Sequence, residues 1–186
     1  MINWLKDKKF NNVCLVGSSM GAVKVTYYQS VRNNSFVNSI VAISPVRLSK
    51  KYYLNSEASH YYKKYIKLAN NFVDSGLGDQ LITIKEDIVP GAGLFSAKAY
   101  LDKYGSERYD IVQYVDKISS DLLILAGTNE THPRLKDVAL DAYEKRLESK
   151  KKVDLLLIPG GEHGLHSMGE KLPESIYTWF KETNLP

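Results

Sequence analysis

Three short stretches hold side chains whose types and spacing suit chemistry. Gly17-Ser18-Ser19-Met20-Gly21 follows the apolar run Val13 to Val16 and fits G-x-S-x-G, a tight turn that projects its central serine out of a sheet as a nucleophile. Ala126-Gly127-Thr128-Asn129-Glu130-Thr131-His132-Pro133 closes a second apolar run, Leu122 to Ala126. Ile158-Pro159-Gly160-Gly161-Glu162-His163-Gly164 closes a third, Val153 to Ile158. A serine, an acid and a histidine thus arrive in that order, each just past a strand-like run. A serine hydroxyl is a poor nucleophile at neutral pH and needs a base to take its proton, so this set of groups points to nucleophilic attack on a carbonyl. Neighbours compete for each place: Ser18 with Ser19, Asp137 with Glu130, His166 with His163. The two histidines are not completed as a metal site by any nearby cluster of ligands.

Those residues have to be positioned by elements that the apolar pattern predicts. The runs Val13 to Val16, Ser39 to Ile43, Leu122 to Ala126 and Val153 to Ile158 are apolar but for Ser39 and Asp154 and do not alternate, as expected of parallel strands covered on both faces. Helical spacing occupies Ala22 to Val31, Arg134 to Leu147 and Glu170 to Lys181. Strand and helix in alternation predict right-handed crossovers and a parallel sheet, and hence an α/β fold. Residues 46–120 exceed what one crossover needs and are expected to be an insertion with its own structure. Asn55 to Val73 carries an apolar and tyrosine stripe at helical spacing, closed by Gly76 and Gly78. A shorter helix is expected between Ser96 as N-cap and Gly105. Nine of the thirteen tyrosines fall in this insertion, which suggests a cap over a pocket.

Composition narrows the partners. The chain has 186 residues, 44% hydrophobic and 25% charged, enough for one soluble globular domain with a sizeable core. Its net charge of +4 is spread, with Lys150 to Lys152 the densest run, so no nucleic-acid partner is expected. No apolar run approaches the roughly 18 residues of a membrane span, and the first residues lack a signal-peptide pattern. No membrane partner is therefore expected, and the cytoplasm is the expected location. The single Cys14 sits inside an apolar run and forms no internal disulfide. Nothing in the sequence calls for a cofactor or metal.

The stretches VCLVGSSMGA, LLILAGTNETHP and LLIPGGEHGL resemble the nucleophile elbow, acid turn and histidine loop of the α/β-hydrolase superfamily. The insertion, YYKKYIKLANNFVDSGLGDQL with FSAKAYLDKYGSERYDIVQYVDKI, is similar to the cap of hydrolases related to fusarinine C esterase. The resemblance implies a three-layer α/β sandwich with a parallel sheet, a helical cap insertion at about 46–120, and a serine hydrolase of carboxylic esters. It implies Ser19 as nucleophile, His163 as base, Glu130 as the acid that orients the base, and the backbone N–H of Met20 as an oxyanion donor. A small-molecule ester is the expected substrate. A thioesterase, peptidase or acyltransferase with the same groups is the alternative, as is a non-catalytic binding protein. The superfamily places several strands before the nucleophile strand, whereas only Asn3 to Phe10, read as the end of a helix, precedes Val13 here. The chain is therefore expected to be the C-terminal portion of such a fold. Its first strand edge should self-associate or receive an N-terminal half, which would carry the second oxyanion donor.

Overall fold

The computed structural model describes residues 2–184 and divides into two compact units, one formed by 1–46 with 114–186 and the other by 47–113. Six strands occur: β1 (Val13–Ser18), β2 (Val37–Ile43), β3 (Leu81–Ile84), β4 (Gly93–Ser96), β5 (Asp121–Gly127) and β6 (Val153–Ile158). The first unit is built on a four-stranded parallel sheet in the order β1-β2-β5-β6. Its crossovers are α2 (Met20–Arg32), from β1 to β2, and α6 (Pro133–Glu148), from β5 to β6. Both advance the sheet in the same direction, so the right-hand rule puts them on one face. Helix α7 (Lys171–Asn184) covers the other. Val41, Ile43, Leu123 and Leu125 project toward it and pack with Leu172, Ile176 and Trp179. The alternate residues Ile40, Ala42, Leu122 and Ile124 are fully buried as well. Burial on both faces is why β2 and β5 are apolar without alternation.

Strand β1 departs from that expectation. It pairs with β2 and lies at the edge of the sheet, and Val16 is 50% exposed although its sequence suits an interior strand. Helix α1 (Ile2–Asp7) precedes it with no buried residue.

Residues 114–120, expected in the insertion, belong to the sheet unit. Arg146, 1% exposed, holds them there. It donates to the carbonyls of Val115 at 2.6 Å, Ile118 at 2.9 Å and Lys152 at 3.0 Å, and also to that of Ser120. A planar guanidinium with five donors answers several carbonyls at once, which a lysine cannot do.

The second unit contains α3 (Lys50–Leu54), α4 (Ser59–Asp74), the antiparallel hairpin β3–β4 and α5 (Ala97–Tyr104). The single helix expected from Asn55 begins instead at Ser59. Asn55 and Ser56 turn their side chains onto the carbonyls of Lys51 and Tyr53, which interrupts the helical ladder. Helix α4 stops as expected, with Gly76 at φ 74 and the Leu77 N–H on the Phe72 carbonyl at 2.7 Å. Ser96 caps α5 through the Ala99 N–H, and Gly105 follows its last turn. The tyrosines of this unit mostly pack: Tyr53, Tyr62, Tyr65, Tyr100 and Tyr104 are all buried. Among the described residues, no helix is long and apolar enough to cross a membrane.

Candidate active site

The carboxyl ends of β1, β5 and β6 deliver the candidate groups, and each delivery has a local cause. At the end of β1 the chain reverses into α2 through Ser19, whose φ of 53 and ψ of −119 lie outside ordinary strand or helix conformations. The reversal brings the backbone of Gly21 and Ala22 back against Gly17, where an added Cβ would stand 2.3 Å from the Gly21 carbonyl oxygen. Only glycine fits there. A Cβ on Gly21 itself would meet nothing within 4 Å, so the second glycine of the motif is not required by contact. The Ser19 N–H donates to the Ile43 carbonyl at 2.9 Å, which ties the turn to β2.

The turn after β5 and the loop after β6 are built as a pair. Gly127 has no room for a side chain: a Cβ would lie 1.9 Å from the Gly161 carbonyl oxygen. That closeness lets Asn129 donate its N–H to Gly161 at 3.0 Å, Thr128 donate to Ile158 at 3.0 Å, and the Gly160 N–H reach Thr128 Oγ1 at 2.8 Å. Glu130 and His163 are thereby fixed relative to each other. Leu165, at φ 57 and fully buried, anchors the far side of the histidine loop in the core.

The result is a hydrogen-bonded chain. His163 Nε2 lies 2.9 Å from Ser19 Oγ, and His163 Nδ1 lies 2.8 Å from Glu130 Oε2. The Glu130 side chain is 1% exposed and that of His163 29%, so the carboxylate is dry while the imidazole opens outward. Glu130 Oε1 is buried and makes no hydrogen bond, which leaves the imidazole as the carboxylate's partner. A dry carboxylate on Nδ1 orients the ring and fixes its tautomer. Met20 opens α2, where the first helix N–H groups have no partner within the helix.

The competing residues stand elsewhere. Ser18 ends β1, paired with Ile43 and exposed. Asp137 lies within α6, and the imidazole takes its carboxylate partner from Glu130. His166 is exposed in a short 3₁₀ turn. Glu162, beside His163, is tied to Ser167 by hydrogen bonds that hold its carboxyl down at about 2. Among the described residues no group of three or more His, Cys, Asp or Glu side chains is arranged to hold a metal.

Sequence reading overlooked Ser44. It follows β2 with φ 43, is fully buried, and accepts the Gly164 N–H on its Oγ at 3.0 Å. It therefore braces the loop that carries His163. Its one signal was its place at the same carboxyl end of the sheet as the other groups.

The fold recurs in solved structures. The chain is similar to a monoacylglycerol lipase of Paleococcus ferrophilus, at 17% identity and a TM-score of 0.65 over 98% of this chain and 73% of that one. It is similar to Est1E of Butyrivibrio proteoclasticus, at 15% identity and 0.59 over 97% and 66%. A thermostable carboxyl esterase of Bacillus coagulans matches at 12% identity and 0.71 over 98% and 68%. The chain has the α/β-hydrolase fold. It spans about two thirds to three quarters of the length of these three α/β-hydrolase-fold proteins. No family model matches the sequence, and no curated protein does either.

Proposed function

We propose that this chain carries the reacting groups of a serine hydrolase that cleaves carboxylic esters through an acyl-enzyme on Ser19. The observation supporting it is the chain of hydrogen bonds from Ser19 Oγ through His163 to Glu130. Esterases and a lipase among the proteins of similar fold agree with the reading. In the proposed reaction His163 Nε2 takes the Ser19 proton as Oγ bonds to the ester carbonyl carbon. The carbonyl oxygen becomes an oxyanion facing the Met20 N–H. Collapse breaks the bond to the alcohol, which leaves with the proton from His163. Water then attacks the acyl-enzyme, giving its proton to His163, and the acid is released as Ser19 regains a proton. Glu130 holds the ring through Nδ1 and stabilises the imidazolium as it forms.

The test is labelling of the chain by a fluorophosphonate, with the adduct mapped by mass spectrometry. A single adduct on Ser19 is expected, lost in Ser19→Ala, with p-nitrophenyl ester turnover lowered by about 10⁴-fold to 10⁶-fold. An adduct on Ser18 or Ser44 would overturn the assignment.

A further inference from the structure

The carboxyl end of β2 is bonded both to the nucleophile turn and to the histidine loop. The Ile43 carbonyl accepts the Ser19 N–H at 2.9 Å, and the next residue, Ser44, accepts the Gly164 N–H on its Oγ at 3.0 Å. A third bond runs from the Ser44 N–H to the Leu125 carbonyl of β5 at 2.7 Å. One peptide link thus joins the turn that carries Ser19 to the residue beside His163.

The histidine loop needs such a hold. Gly160 at φ 72 and Gly164 at φ 85 lie in the left-handed region, and glycine leaves a backbone many other conformations. His163 sits between them. Bonds to other strands' loops flank it: the Gly161 carbonyl accepts the Asn129 N–H on one side, and Gly164 reaches Ser44 on the other. The bonds of the Glu162 carboxylate to Ser167 stay within the loop, so they shape it without fixing it to the sheet.

Backbone conformation alone does not favour serine at 44. A φ of 43 is uncommon for any residue with a side chain, and Ser44 holds it while fully buried. Glycine would make the turn without strain, but it has no oxygen for the N–H of Gly164, which is itself buried. A buried N–H without an acceptor is seldom kept in a folded protein. The hydroxyl is what serine supplies there and glycine would not. We propose that Ser44 is a positioning residue. Through Gly164 its hydroxyl holds the His163 ring where Nε2 lies 2.9 Å from Ser19 Oγ and Nδ1 lies 2.8 Å from Glu130 Oε2. Its part in proton transfer rests on the proposed hydrolase reaction; its hold on the ring does not.

The experiment follows two readouts in the whole chain: the proton NMR resonance of the His163 Nδ1–H, and the rate at which a fluorophosphonate labels Ser19. A proton held between an imidazole nitrogen and a dry carboxylate resonates far to low field, and its loss in His163→Gln assigns it. Ser44→Ala removes the hydroxyl but keeps a side chain at positive φ. Ser44→Gly removes the hydroxyl and the strain together, so it keeps the fold, as circular dichroism should show. In both variants the resonance should broaden or vanish and labelling should slow at least about tenfold, since displacing a reacting group by about 1 Å costs up to about 10²-fold. A residue that served only the turn would be replaced by glycine without effect on either readout. Either readout unchanged in folded Ser44→Gly would therefore overturn the proposal. So would a parent chain lacking the resonance, because His163 would then not be held on Glu130. A parent chain that shows the resonance but takes no label refutes the hydrolase reading alone, and the resonance in the variants then decides for Ser44.

Discussion

At the scale of single residues, two buried carboxylates make opposite contributions. Glu130 is dry but answered by the His163 ring at 2.8 Å, so its charge is in use. Glu130→Gln keeps its shape and removes the charge that fixes the imidazole tautomer. Turnover should fall by about 10⁴-fold while the melting temperature changes little, as steady-state kinetics and calorimetry would show. A variant that retained wild-type turnover would mean that another acid orients the base. Asp110 is dry and only partly answered, its carboxyl raised from 3.8 to about 6 by burial. The folded state therefore binds more protons than the unfolded state between those values. That contribution to stability is complete below pH 3.8 and is lost as pH rises through 6. Relative to Asp110→Asn, which does not titrate, the wild-type unfolding free energy should decline by up to about 3 kcal/mol from acid to neutral pH. Urea unfolding of both proteins across that range checks it, and a flat difference would show that Asp110 ionises freely in the fold.

At the scale of elements, the glycines separate what the motif requires from what it merely contains. Gly17→Ala drives a Cβ to 2.3 Å from backbone that cannot yield, whereas Gly21→Ala meets open space at the start of α2. The first should cost several kcal/mol and Ser19 labelling with it. The second should leave labelling intact and hold or raise the melting temperature by the helix preference of alanine, about 0.5–1 kcal/mol. Equal damage from both would mean that the elbow needs glycine at 21 for a reason other than space. The same division explains what was legible in the sequence. Strands β2 and β5 were legible because burial on both faces writes continuous apolar runs, β1 and β6, partly exposed at the sheet edges, because their runs stay mostly apolar, and the meeting of Ser19, Glu130 and His163 because each follows such a run. The hairpin β3–β4 was not, although Leu81-Ile82-Thr83-Ile84 alternates in burial and Pro90-Gly91 marks a turn before its partner strand. Four-residue strands give too few periods to stand out beside the strong helix of α4. Ser44 escaped because a single serine bracing a loop has no spacing to recognise, and the break at Asn55 because it depends on side chains choosing backbone carbonyls over the helix.

At the scale of the whole molecule, the sheet has an unequal border. At the β6 edge, Trp179 of α7 donates its Nε1–H to Asp154 at 2.7 Å, and Lys152 pairs with Asp121 at 3.4 Å. Such polar ties are what edge strands use to deter pairing. The β1 edge, Val13-Cys14-Leu15-Val16, has no charged side chain, and Val16 is half exposed. A strand with unpaired backbone groups and an apolar, flat edge is a template for another strand. We propose that this 186-residue chain self-associates through β1 in isolation. Val16→Lys places a charge at the exposed position of that strand, where burying it against a second chain would be costly. Sedimentation velocity at micromolar concentration should therefore show dimers or larger species for the parent chain and a shift toward monomer for Val16→Lys. Circular dichroism should be the same for both. A parent chain that sediments as a monomer, or a variant that associates as strongly, would show that the β1 edge is not the contact.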